Sequence, residues 1–131
     1  MRITALVIIA AAVSASLPAT PAAAQDAAAG QRVFNQCRAC HTINEGGRSG
    51  VGPNLHGIVD RAAGSREGFR YSANLREQAT TASLVWNEAT LTRYLTNTKD
   101  VLPQGSMAFA GLRQPQQVAD VIAYLRRAAT P

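Results

Sequence analysis

Cys37-Arg38-Ala39-Cys40-His41 is the segment that most restricts this chain. Two thiols three positions apart, with an imidazole directly after the second, can hold one large flat group at one place and depth. The pattern C-x-x-C-H is the attachment signature of a c-type haem. The thiols add across porphyrin vinyl groups as thioethers, and the histidine meets one face of the iron. Other readings use less of the segment. A thioredoxin-like C-x-x-C needs a βαβ pattern around it, and none is visible. A zinc knuckle needs a second pair of ligands, but the sequence holds two Cys and two His in all, the other His being His56. A disulfide between Cys37 and Cys40 leaves His41 unexplained.

The N-terminus suggests where such a group would be attached. Arg2 forms a short basic region, Ile3 to Leu17 is an apolar run, and Ala22-Ala23-Ala24 is an A-x-A site preceded by prolines. This reads as a secretory signal peptide over residues 1–24, cleaved before Gln25, with export to the periplasm. The run is shorter than the roughly 20 residues a spanning helix needs, so no stable membrane insertion is expected after cleavage. Residues 25–131, 131 − 24 = 107 in number, suffice for one domain. The full-length charge of +5 becomes +5 − 1 = +4 once Arg2 is lost. That balance suits acidic protein partners or an anionic surface. Nucleic acid is not expected, because the basic residues are scattered and the compartment is wrong. Three Phe, three Tyr and one Trp make a thin aromatic core, which a large apolar cofactor would complete.

Helical patterning appears at both ends and between them. Asp26 can cap a helix whose inner face is Gly30, Val33 and Phe34 and which leads into Cys37. Asn87 can cap another, with Leu91, Tyr94 and Leu95 on one side. A shorter helix is expected from about Ser72 to Gln78. The last begins at Pro115, carries Val118, Val121, Ile122 and Leu125 as one stripe, and ends on Arg126 and Arg127, where cations suit the helix dipole. Seven of the ten glycines lie in residues 42–70, where no periodicity survives. Such a stretch reads as backbone wrapped around a cofactor. The expected class is all-α, three to four main helices joined by long loops.

If His41 holds one face of the iron, the opposite face needs a donor or stays open. Residues 25–131 contain one methionine, Met107, within the irregular segment 102–109 between two helices. Methionine used as core filler usually sits on a helix or strand face, so Met107 is assigned as the second axial ligand. His56, in Gly52-Pro53-Asn54-Leu55-His56-Gly57, is the other donor present. A loop histidine beside glycine more often makes hydrogen bonds that pin two loops together.

These residues together resemble the class I c-type cytochromes of mitochondria and bacterial periplasms, over nearly all of residues 26–130. The anchors are Gly30, Phe34 and the Cys37–His41 motif, Gly52 to Gly57, Trp86 with Leu91, Tyr94 and Leu95, Met107-Ala108-Phe109-Ala110-Gly111, and Ala123-Tyr124-Leu125. The resemblance implies a cytochrome c fold and one haem c attached through Cys37 and Cys40. It also implies that the Pro53 carbonyl accepts from the His41 ring, and that Gly30 lies where the first and last helices cross, facing Tyr124. Arg61, Tyr71 and Trp86 would hydrogen-bond or neutralise a buried propionate, Tyr94 would stand beside Met107, and Phe109 would cover the haem on that side. The chain departs from mitochondrial members in having a single lysine, Lys99, with Ser106 before Met107 and arginine carrying nearly all the positive charge. No role is carried onto Asn74, because the segment from Tyr71 to Asn74 is shorter than its counterpart.

The function so implied is a soluble monohaem one-electron carrier, not an enzyme and monomeric. Its partners would be membrane or periplasmic redox proteins with acidic docking surfaces, met in transient complexes. A peroxidase-like enzyme or a gas-binding haem protein is the alternative, and either would need an open sixth position.

Overall fold

The computed structural model describes residues 24–129, so the proposed signal peptide lies outside the described residues except for Ala24. Four helices form: α1 (Ala27–Phe34), α2 (Ala73–Thr81), α3 (Glu88–Thr96) and α4 (Pro115–Arg127), with a single 3-10 turn at Thr98–Asp100. No strand forms among the described residues; one isolated antiparallel bridge joins Ala62 and Val85.

The first three helices start where the sequence provides a partner for the free N–H groups of the first turn. The Asp26 carboxylate accepts from Ala28 N and Ala29 N at 2.8 and 3.2 Å. These bonds hold its pKa below the usual carboxylate value. Ser72 accepts from Leu75 N at 3.2 Å, and Asn87 from Thr90 N at 2.9 Å. Pro115 opens α4 without a side-chain cap, its missing N–H costing nothing in a first turn. The second helix runs to Thr81 rather than stopping near Gln78. There the Thr80 and Thr81 hydroxyls donate to the Glu77 carbonyl at 3.0 and 2.8 Å, so polar side chains are accommodated inside the last turn.

The core is built on the crossing of α1 and α4. Val33 and Phe34 from α1 are buried with Val118, Val121, Ile122 and Leu125 from α4, each such side chain contributing about 1.5–3 kcal/mol. The backbones approach so closely at Gly30 that a Cβ there would collide with the Asp120 carbonyl and stand 2.9 Å from Tyr124 Cβ. The Phe34 and Tyr124 rings meet at 5.3 Å beside this point. The Asp120 carboxylate, buried on α4, accepts from Asp26 N and from Gln116 Nε2, both at 2.8 Å. The start of α1 is thereby tied to the middle of α4. Arg126, near the end of α4, pairs with Glu88 at 3.1 Å and Asp60 at 3.4 Å; all three are exposed, so these pairs add little stability.

Candidate functional site

After α1 the chain tightens into a turn. Cys37 N donates to Phe34 O at 2.8 Å, and Cys40 N and His41 N both donate to Cys37 O, at 3.1 and 3.0 Å. Both thiols are free, Cys40 exposed and Cys37 partly buried. Burial, with a smaller contribution from the Cys40 thiol, pushes the Cys37 thiol pKa up.

His41 is oriented by the loop that follows. Its Nδ1 lies 2.7 Å from the Pro53 carbonyl, so Nδ1 donates and Nε2 is the nitrogen left to bind a metal. Gly52 is required beside it, because a Cβ at that position would collide with the imidazole ring. The loop is held from behind by Asn54, which is fully buried. Its amide donates to Thr42 Oγ1 at 2.8 Å and to the Asn44 carbonyl at 3.0 Å, while its Oδ1 accepts from His56 N at 3.0 Å. Gly52 N donates to the Cys40 carbonyl at 2.8 Å, which closes the loop onto the cysteine turn.

Met107 lines the same space from a segment without regular structure. That segment is suspended by hydrogen bonds: Lys99 Nζ to Gly105 O at 2.9 Å, Thr98 Oγ1 to Phe109 O at 2.8 Å, and Leu112 N to Leu95 O at 2.7 Å. Asn74 Oδ1 accepts from Gln104 N at 3.0 Å and links it to α2. The Tyr94 hydroxyl donates to Met107 Sδ at 3.6 Å. Burial raises the Tyr94 pKa to about 12, so the phenol stays protonated and able to donate. The Trp86 ring packs on Tyr94 at 4.9 Å.

Between these walls lies a cavity of about 310 Å³, within the range of cofactor pockets. Cys37, Cys40, His41, Pro53, Tyr71, Trp86, Tyr94, Met107 and Phe109 line it together, but Arg61 does not. Arg61 donates from Nη1 to the His56 carbonyl at 2.8 Å. Its Nε is buried without a hydrogen-bond partner, and desolvation lowers its pKa. Tyr71 accepts through its hydroxyl from Arg66 N at 3.2 Å, which leaves its own proton to donate. His56 does not line the cavity. The loop pinning expected of its ring falls to its backbone: ring Nδ1 is buried without a partner, while its N–H and carbonyl carry the bonds to Asn54 and Arg61.

The residues present fit a covalently held porphyrin. Two free thiols, one imidazole committed through Nδ1 and one thioether line the same largely apolar cavity. Outside the lining, the buried Nε of Arg61 lacks an acceptor of the kind a carboxylate supplies. Of the polar and sulfur groups in the wall, the sequence singled out Cys37, Cys40, His41, Tyr71, Trp86, Tyr94 and Met107, but not Gln36, Ser72 or Ser106. It gave no signal for Leu55, Ile58, Phe69, Leu75 and Leu102, which complete the apolar lining from loops and α2. Nor did it signal Asn54 as the point that fixes the His41 loop.

The profile of the family described as Cytochrome c matches residues 27–129. The chain belongs to the cytochrome c family. It is 46% identical over 103 residues to a cytochrome c2 of Rhodomicrobium vannielii, covering 79% of each protein. To a cytochrome c of Chlamydomonas reinhardtii it is 44% identical, over 82% of this chain and 93% of the relative. Among solved structures, cytochrome cH from Methylobacterium extorquens superposes with a TM-score of 0.70 at 38% identity, covering 78% of this chain and 98% of that one. The all-α architecture with its four helices and long loops is therefore a cytochrome c fold, and the family carries one covalently attached haem c. Cys37 and Cys40 are the chain's two cysteines.

Proposed function

We propose that this cytochrome c works as a soluble one-electron carrier with His41 and Met107 as axial ligands of a haem held by Cys37 and Cys40. The observation that carries this reading is that both ligands line one cavity. His41 is fixed there by Pro53 and Gly52, and Met107 by Tyr94 and the bonds to residues 105–112. Bound haem supplies an iron that alternates between ferric and ferrous.

The protein contributes a site that changes little between those states. The Pro53 carbonyl keeps the His41 ring in one tautomer and orientation. The Tyr94 hydroxyl draws electron density from the Met107 sulfur, which favours the reduced state. Apolar side chains from α3, α4 and the loops exclude water. Tyr71, through its free hydroxyl proton, and Trp86 would accommodate a propionate from the cavity lining, and Arg61, outside that lining, would supply its unpartnered Nε. Phe109 closes the Met107 side.

The carrier reading extends to compartment and partners. Residues 1–24 act as a cleavable signal peptide, and residues 25–131 form one periplasmic domain. Among the described residues no helix is long and apolar enough to cross a membrane. The charge of +4 left after cleavage draws acidic redox proteins over distances longer than contact. Encounters are transient and the chain is monomeric.

Carbon monoxide added to the reduced protein tests carrier against enzyme. A reduced spectrum that carbon monoxide leaves unchanged at neutral pH is the expected result. Ready formation of a carbonyl adduct would mean an open sixth position, and would favour the enzyme or gas-binding reading.

A further inference from the structure

The strap that carries Met107 is held on both sides of the sulfur from one place. Thr98 and Lys99 are neighbours in the 3-10 turn. Thr98 Oγ1 donates to the Phe109 carbonyl at 2.8 Å, and Lys99 Nζ to the Gly105 carbonyl at 2.9 Å. Those carbonyls belong to the residues two after and two before Met107.

The two bonds differ in kind. Lys99 is exposed, so a long side chain gives up rotamer freedom for a bond that water contests. Thr98 is only 3% exposed, and its side chain, branched at Cβ, has few rotamers to lose. The backbone beneath it is fixed as well. Asn97 N donates to the Arg93 carbonyl and Leu102 N to the Thr98 carbonyl, both at 3.0 Å, while Asn97 Nδ2 donates to Asp100 Oδ1 at 2.8 Å. The Thr98 hydroxyl is therefore seated firmly at the end of α3, the helix that also carries Tyr94. Beyond Phe109 the chain presses on that same end, where a Cβ on Gly111 would collide with the Thr96 carbonyl.

Resting on the Met107 ligation proposed above, we infer that Thr98 is a positioning residue for the haem site: its hydroxyl, through the Phe109 carbonyl, holds Met107 in the cavity and keeps the sixth position closed to outside ligands. Tyr94 touches the sulfur, whereas Thr98 fixes the backbone that carries it. Filling space at position 98 would be served as well by valine, so the hydroxyl is the part that matters. Without it the Phe109 carbonyl loses its donor, and arrangements in which Met107 has left the cavity become more populated. A ligand that binds only the open form gains apparent affinity in proportion to that population.

Imidazole titration of the ferric holoprotein, followed by loss of the near-infrared sulfur-to-iron band, reads this population in wild type, Thr98→Val, Thr98→Ala and Thr98→Ser. Thr98→Val and Thr98→Ala should bind imidazole about tenfold more tightly than wild type, equivalent to about 1.4 kcal/mol and in the range of one hydrogen bond. Thr98→Ser keeps the hydroxyl and should bind within about twofold of wild type. Wild-type affinity in the Val and Ala variants would overturn the inference, even if both unfolded at lower denaturant, because Thr98 would then support the fold without governing the site. Tight binding in Thr98→Ser as well would also overturn it, since the cause would be the methyl group and not the hydroxyl. Failure of the ligation reading is distinct and shows in wild type alone: the near-infrared band would be missing before any imidazole is added.

Discussion

Gly30→Ala would add a single methyl group at the tightest point of the molecule. The new Cβ would stand 2.5 Å from the Asp120 carbonyl carbon and 2.9 Å from Tyr124 Cβ. Carbon atoms in contact rest at about 3.5–4.0 Å, so α1 must withdraw from α4 by about 1 Å. One obstacle is backbone in the middle of a helix, which no rotamer change can relieve. Withdrawal would loosen Val33 and Phe34 against Val121 and Ile122, and would stretch the 2.8 Å bond from Asp26 N to the Asp120 carboxylate. Overpacking of this kind costs about 1–3 kcal/mol, here at the upper end. Alanine's better helix propensity offsets about 1 kcal/mol. The expected net loss is about 2 kcal/mol, which lowers Tm by roughly 10 °C in a domain of this size. Thermal melts of the holoprotein followed by far-ultraviolet circular dichroism measure it. An unchanged or higher Tm would show that the crossing is not close-packed at Gly30, and the account of how α1 is seated would fail.

Tyr94→Phe removes the donor to Met107 Sδ and should lower the midpoint potential, measured by voltammetry; an unchanged or higher value would contradict the role given to that bond. Because burial raises the Tyr94 pKa to about 12 from an ordinary 10, its ionisation is harder in the fold than in the unfolded chain. Its contribution to stability is therefore complete below pH 10 and is lost as pH rises toward 12. Denaturation midpoints across that window should fall less steeply in Tyr94→Phe than in wild type, and parallel curves would sink the argument. Asn54→Leu keeps the number of side-chain heavy atoms but leaves Thr42, Asn44 and His56 without their shared partner. It should cost about 3 kcal/mol in denaturant unfolding, and a loss under 1 kcal/mol would remove Asn54 from the centre of the loop.

The helices were legible because their signals are local. Asp26, Ser72 and Asn87 each sit one residue before the helix they cap, and the α4 stripe repeats within its own thirteen residues. The walls holding His41 and Met107 were legible because the motif and the lone methionine of residues 25–131 are rare chemistry. What stayed hidden depends on partners distant in sequence. Nothing near Asn74 indicates that its side chain will cap the Gln104 N–H, thirty residues away. Nothing near Asp120 shows that a carboxylate on the buried side of α4 will receive the backbone N–H of Asp26. Leu55 and Ile58 lie in an aperiodic loop, so neither helical nor strand spacing marks them as cavity wall.

The most direct test of the central claim is the ferric near-infrared spectrum of holoprotein matured in a haem-attaching periplasm, compared with that of Met107→Ala. A weak sulfur-to-iron charge-transfer band in wild type that disappears in the variant is the predicted result. A wild-type spectrum that lacks the band, or a band that survives the substitution, would mean that Met107 is not the ligand opposite His41.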